Sequence, residues 1–159
     1  MPAIYRYCCC HTNSLKVLMP SDRVLKSMNA VHRLLLGVTR GRKGWFMANM
    51  PVLELVTTGR KSGKQRAVML TSPLQINNEI VIVVSRGGDD QHPAWFVNLR
   101  DNPKVLVRYM GGEKKSMTAR IASNTERETL WPQITAKYKG YGEYQTRTSR
   151  EIPLILLAD

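Results

Sequence analysis

The sequence predicts a mainly β domain with flanking helices, built as a small closed or split antiparallel β-barrel. Three observations carry this. Segments rich in Val, Ile, Leu and Thr recur at residues 52–58, 66–76, 79–85, 104–110, 115–122 and 152–157, each of strand length and bounded by turn residues. Asn77-Asn78 and Gly111-Gly112 tie neighbouring segments into hairpins, because Asn and Gly accept the positive φ that tight hairpin turns need. Only three helical stretches accompany the six strands, whereas a doubly wound parallel sheet places a helix after nearly every strand.

From the N-terminus, residues 1–20 read as a disordered tail or a mis-assigned start, since Met19-Pro20-Ser21-Asp22 opens a well-formed segment. All three cysteines are consecutive, Cys8-Cys9-Cys10, so they cannot staple distant parts of a fold, and a reducing cytoplasm is the expected setting. With His11 they are too close together to surround one ion tetrahedrally, so no metal is expected. Residues 21–50 form a basic amphipathic helix and a connector. Ser21 is the N-cap, and Val24, Met28, Val31, Leu35 and Val38 share one face of a helix over 21–38. Arg23, Lys26, Asn29 and Arg33 lie mostly off that stripe, which suits the helix to cover a sheet or to lie on an anionic membrane surface. The basic stretch Arg40-Gly41-Arg42-Lys43-Gly44 leads to an aromatic patch, Trp45-Phe46-Met47.

Residues 51–159 form the barrel domain. Within it, Pro93 starts a short helix through Leu99 that ends before Asn102-Pro103. A later helix opens with a Thr125/Glu128 capping box, kinks or restarts at Pro132 and ends near Tyr138. Gly140 and Gly142 are expected to break helix around Tyr138, Tyr141 and Tyr144, which then line one side of a pocket.

Two turns point to an anionic ligand. Residues 59–66 carry Arg60, Lys61, Lys64 and Arg66 with no acid, and Ser85-Arg86-Gly87-Gly88 offers backbone N–H groups that can approach a phosphate or carboxylate closely. The net charge of +12 agrees with an acidic partner but does not choose one. Nucleic acid is not expected, because the aromatics are not interleaved with cations on one strand face. Asp89, Asp90 and His92 lack a fourth donor and read as a polar loop. No apolar stretch is long enough to cross a bilayer.

The motifs Thr57-Thr58-Gly59-Arg60-Lys61-Ser62-Gly63, Ser85-Arg86-Gly87-Gly88, His92-Pro93-Ala94-Trp95-Phe96-Val97-Asn98-Leu99 and Asn102-Pro103-Lys104-Val105, with residues 138–153, resemble the deazaflavin-dependent nitroreductase and quinone reductase family over about residues 51–157. The resemblance implies an FMN-binding split-barrel-like fold and an F420H2-dependent reductase that passes a hydride from reduced coenzyme F420 to a quinone, nitroaromatic or enone. By the motif match, Arg60, Lys61, Ser62, Lys64 and Arg66 hold the coenzyme's phosphate and oligoglutamate tail. Ser85, Arg86, Gly87 and Gly88 approach the phosphate and ring edge, and Trp95 packs beside the bound molecule. Tyr138, Tyr141 and Tyr144 border the acceptor, where Tyr141 above all, or Ser85, donates a hydrogen bond to the acceptor oxygen.

Many relatives carry proline where Gln65 and Met69 stand, and some an aromatic residue where Thr71 stands, so the preferred acceptor does not transfer from them. The basic helix and the 45–47 patch make peripheral contact with the inner face of the cytoplasmic membrane an expectation, suited to a lipid-soluble quinone. Two other classes fit the composition: a split-barrel protein using FMN or FAD, and a non-enzymatic nucleic-acid-binding basic module.

Overall fold

The computed structural model describes residues 45–159 together with Ser27, Ala30, Val31 and Leu34. Those four are helical and exposed, in keeping with a helix over 21–38. Val31, placed on the apolar stripe, is 57 % exposed and does not enter the barrel core. Residues 1–20 with Cys8, Cys9, Cys10 and His11, the other positions of the expected 21–38 helix and the basic stretch before Trp45 lie outside the described residues.

Among the described residues, eight strands form one antiparallel sheet. They are β1 (Phe46–Met47), β2 (Met50–Thr58), β3 (Gln65–Thr71), β4 (Leu74–Ile76), β5 (Glu79–Val83), β6 (Lys104–Tyr109), β7 (Lys114–Ile121) and β8 (Leu154–Ala158). The order is β1-β2-β6-β7-β8-β5-β4, and β3 pairs with β2 along Val52–Thr58, off that path. The chain runs from β3 into β4 through Ser72-Pro73, so the sheet curls into a split half-barrel.

The interior is filled by Leu53, Leu55, Ile82, Val84, Val105, Val107, Ile155 and Leu157, with Phe96 and Leu99 supplied by helix α1 (Ala94–Asp101). Helices α2 (Asn124–Lys137) and α3 (Lys139–Thr146) cover the opposite face of β5 and β8, where Leu130, Ile134 and Tyr141 meet Val81, Val83, Leu154 and Leu156. β5 and β8 are therefore buried on both faces, which is why they read as unbroken apolar runs.

The hairpin turns follow their residue types. Asn77 and Asn78 both have positive φ, at 49° and 64°, and join β4 to β5. The β6–β7 turn is centred one residue earlier than expected, on Met110 and Gly111, and closes with Gly112 N–H donating to the Tyr109 carbonyl. Gly111 is required there because a Cβ would lie 2.7 Å from the Trp45 indole nitrogen. A turn at Ala48 and Asn49, also of positive φ, forms the β1–β2 hairpin that the sequence reading did not anticipate.

Four expected boundaries differ. The strand expected over 66–76 breaks at Ser72-Pro73, where the Ser72 amide turns to the Pro51 carbonyl and its hydroxyl to the Leu74 carbonyl. The capping box is Ser123/Glu126 rather than Thr125/Glu128. The two motifs overlap, and Arg120 of β7 selects the earlier one by binding Glu126. α2 continues through Pro132 as one helix. Helix also persists through Gly140 and Gly142; the break falls instead at Tyr138, and burial of Tyr141 outweighs the glycines' low propensity.

Candidate functional site

The turn after β2 keeps its shape through its own backbone. Gly63 N–H donates to the Gly59 carbonyl at 2.8 Å, Gly59 N–H donates to the Lys64 carbonyl at 2.9 Å, and Gly63 sits at φ 64°. A Cβ on Gly59 would meet the Ser62 hydroxyl at 2.8 Å and the Lys64 carbonyl oxygen at 3.2 Å, so a larger residue there would press on the turn. Arg60, Lys61, Ser62, Lys64 and Arg66 are all exposed, and none of the four cations pairs with a carboxylate among the described residues. A cluster of like charges held by backbone bonds is a ready seat for several carboxylates.

Asn98 of α1 pins this turn. Its side-chain oxygen accepts from the Arg60 amide at 3.2 Å, while its nitrogen donates to Thr57 Oγ1 at 3.3 Å. Thr57 is buried and donates in turn to the Arg66 carbonyl at 3.4 Å. Neither Thr57 nor Asn98 stood out as a site residue in the sequence.

The second turn lies at the other end of α1. Ser85 is right-handed helical (φ −73°, ψ −42°) and Arg86 left-handed (φ 47°), the alternation that makes successive N–H groups converge on an anion. Gly87 and Gly88 continue at φ 71° and 88°. The Arg86 side chain folds back on its own loop, 3.5 Å from the Asp89 carboxylate and donating to the His92 carbonyl at 3.4 Å. Asp89 also accepts from the Gln91 amide, and Asp90 accepts from Thr148 at 2.6 Å, so both acids serve the loop itself.

Arg150 braces the loop from beneath, donating to the carbonyls of Val84, Ser85 and Asp89 at 3.1, 3.0 and 2.8 Å. Burial pushes its guanidinium below the usual arginine range, and burial with Arg150 and Arg100 nearby holds His92 below the ordinary imidazole value. Arg150 also escaped the sequence reading.

The tyrosines join this turn to the end of β3. Gly88 packs on the Tyr144 backbone, the Tyr144 ring meets Tyr141 edge-on at 6.1 Å, and Arg147 lies over the Tyr144 ring at 5.4 Å. Tyr141 is 7 % exposed; its hydroxyl lies 3.1 Å from Thr71 Oγ1 and donates to Met50 Sδ at 3.6 Å. Burial pushes this phenol above its usual range, against a smaller opposing pull from Thr71. Tyr138 donates to the Asn49 carbonyl at 3.3 Å, and Tyr109, also raised by burial, bonds to Gln75.

The structure thus links Ser85, Gly88, Tyr144, Tyr141 and Thr71 through a chain of contacts. It places Arg60, Lys61, Ser62, Lys64 and Arg66 in a separate cationic turn. Trp95 is half-buried, packed against the barrel interior and edge-on to Phe96 at 6.3 Å, one turn from Asn98 on the same helix. α1 therefore mounts the first turn, while Arg150 and the end of α3 hold the second.

Residues 30–159 match the family model of the F420H(2)-dependent quinone reductases. The F420H(2)-dependent quinone reductase Rv1261c of Mycobacterium tuberculosis is 33 % identical over 139 residues, covering 85 % of this chain and 89 % of that protein. A solved F420-H2 dependent reductase, FDR-A, is 40 % identical with a TM-score of 0.60, covering 67 % of this chain and 93 % of its own. A second solved chain, described as a domain-swapped dimer, is 35 % identical with a TM-score of 0.62, covering 80 % and 96 %. These matches make the chain a member of the F420H(2)-dependent quinone reductase family.

Proposed function

We propose that this chain seats reduced coenzyme F420 across its two turns and presents it to a quinone beside Tyr141. Family membership makes the protein an F420H2-dependent oxidoreductase. When bound, the coenzyme supplies the hydride. Its phosphodiester and oligoglutamate tail match the donor set: converging N–H groups at Ser85-Arg86 suit a phosphate, and Arg60, Lys61, Lys64 and Arg66 suit several carboxylates. Ser62 adds a hydroxyl within the same turn, and Trp95 offers an apolar flank from α1.

The protein's own part in the reaction is to orient and to meet charge. As a quinone gains a hydride, negative charge grows on its oxygen, and a preorganised O–H donor lowers that cost. Tyr141 fits the role because its phenol is buried, and burial keeps it protonated through neutral pH. Ser85 is the second candidate donor, and Tyr138 and Tyr144 are proposed to flank the acceptor with Tyr141. The observation that carries the reading is the contact chain from Gly88 through Tyr144 and Tyr141 to Thr71, which joins the anion-seeking turn to a buried donor.

Mixing the protein with F420H2 and a panel of quinone, nitroaromatic and enone acceptors, and following reoxidation of the deazaflavin, tests this directly. Quinones are expected to turn over fastest. Tyr141→Phe should lower kcat about tenfold while leaving coenzyme affinity within about twofold. Retention of FMN or FAD by the purified protein, with no turnover of F420H2, overturns the proposal.

The quinone is proposed to arrive from a membrane surface. Phe46 and Met47 are 63 % and 46 % exposed, and Met110 on the neighbouring β6–β7 turn is 40 % exposed. The next residues of the same hairpin, Asn49 and Met50, touch Tyr138 and Tyr141, so the apolar tip adjoins the tyrosine wall. No helix among the described residues is long and apolar enough to cross a membrane, and contact of this kind is peripheral. Sedimentation with anionic vesicles at low salt should capture the protein and lose it in Phe46→Ser/Met47→Ser; equal capture of the variant removes the tip from the reading.

A further inference from the structure

The Tyr141 phenol has one proton and two neighbours that could share it. The Thr71 hydroxyl can donate or accept, whereas the Met50 thioether is only a weak acceptor. Thr71 Oγ1 lies 3.1 Å from the phenol oxygen, and Met50 Sδ takes the phenol's own hydrogen bond at 3.6 Å. One assignment satisfies both contacts: Thr71 donates to the tyrosine oxygen, and the tyrosine donates to sulfur.

The position of Thr71 is closely set. It is the last residue of β3, paired with Val52, and its branched side chain has few rotamers available. Immediately after it the chain bends, held by the Ser72 amide on the Pro51 carbonyl at 2.9 Å and the Ser72 hydroxyl on the Leu74 carbonyl at 3.0 Å. Ser72 is 1 % exposed, so this bend is an internal fixture. The hydroxyl beside Tyr141 therefore stands on backbone clamped on both sides.

We propose that Thr71 is a positioning residue: its hydroxyl donates to the Tyr141 oxygen and aims the phenol proton toward the acceptor, with Met50 sulfur holding that proton until a stronger oxygen acceptor replaces it. The inference rests on the role of Tyr141 proposed above. It assigns the parts as follows. A thioether yields easily to a quinone oxygen because its hydrogen bond is weak. Donation from Thr71 polarises the phenol and strengthens its outgoing bond, as chains of hydrogen bonds do. It also opposes the effect of burial on the phenol.

The test compares wild type, Thr71→Val, Thr71→Ser and Tyr141→Phe with F420H2 and menadione as the soluble quinone. Thr71→Val keeps the shape and removes the hydroxyl; it should lower kcat about five- to tenfold with coenzyme Kd within about twofold, the loss expected from one misdirected hydrogen bond. Thr71→Ser should restore most of that loss. In the coenzyme-free protein, the Tyr141 ring ζ-carbon resonance, assigned by its disappearance in Tyr141→Phe, should move in Thr71→Val and return in Thr71→Ser.

Wild-type kcat in Thr71→Val, failure of Thr71→Ser to rescue, or an unmoved resonance each overturns the inference. If Tyr141→Phe is slow and Thr71→Val is not, only the role of Thr71 falls. If Tyr141→Phe turns over normally, the role of Tyr141 falls with it.

Discussion

Gly88 and Tyr144 approach so closely that a Cβ on Gly88 would lie 2.7 Å from the Tyr144 carbonyl oxygen, and 2.9 Å from Arg147 Cβ. The second turn is thereby seated on the end of α3, and its left-handed backbone at φ 88° adds a second demand for glycine. Gly88→Ala should cost at least ~1 kcal/mol of stability, since both backbone strain and a contact with main-chain atoms must be relieved. Thermal unfolding and coenzyme titration should show a lower Tm together with weaker binding. A variant with unchanged Tm and Kd would show that the turn is not seated on α3 in solution.

Asn98 fixes the cationic turn from outside through two hydrogen bonds, to Arg60 and Thr57. Asn98→Ala removes both while leaving every cation in place. Coenzyme Kd should rise about fivefold, corresponding to ~1 kcal/mol of lost positioning. Fluorescence titration measures this, and an unaltered Kd would mean that the turn holds its shape without α1.

Exposed cations act through a field that salt screens. Lys61→Gln/Lys64→Gln should weaken coenzyme binding at low ionic strength by about 0.2–1 kcal/mol for each charge. The gap from wild type should close as salt approaches about 1 M, where the Debye length is about 3 Å. Coenzyme bearing a longer glutamate tail should show the larger difference. A gap that ignores both salt and tail length would place the tail elsewhere.

Acid should loosen the α2 cap within a defined window. Arg120, with the Ser123 amide and hydroxyl, holds the Glu126 carboxyl down at about 2, below its ordinary value of 4.5. A depressed carboxyl stabilises the fold when ionised. Its contribution is complete above about 4.5 and is lost as pH falls toward about 2. Tm measured from pH 6 down to pH 2.5 should fall less steeply in Glu126→Gln than in wild type, with the two curves converging at the acid end. Parallel curves would remove Glu126 from the acid response.

What the sequence made legible was local. Asn77-Asn78 announces its hairpin because both residues accept left-handed backbone, and the two candidate turns stand out because glycines and cations lie within eight neighbouring positions or fewer. The unseen parts of the site are long-range. Asn98 reaches Arg60 across 38 residues, Arg150 reaches Ser85 across 65, and Tyr141 reaches Thr71 across 70. No periodicity links such pairs, and only the folded sheet brings them together. The shifted cap had the same origin, since Ser123/Glu126 and Thr125/Glu128 are equal as strings until Arg120 arrives from β7. At Gly140 and Gly142 local propensity was outweighed by the burial of the tyrosine between them.

Because Asn98 of α1 holds the cationic turn while the proposed surroundings of the oxidant come from β1–β2, the end of β3 and α3, the grip on the donor's tail and the taste for its recipient rest on different pieces of scaffold. On that reading, drift at positions 50, 71 and 141 redirects the enzyme to new oxidants without disturbing its hold on the carrier's tail. A lineage built on this plan has an inexpensive route to diversification.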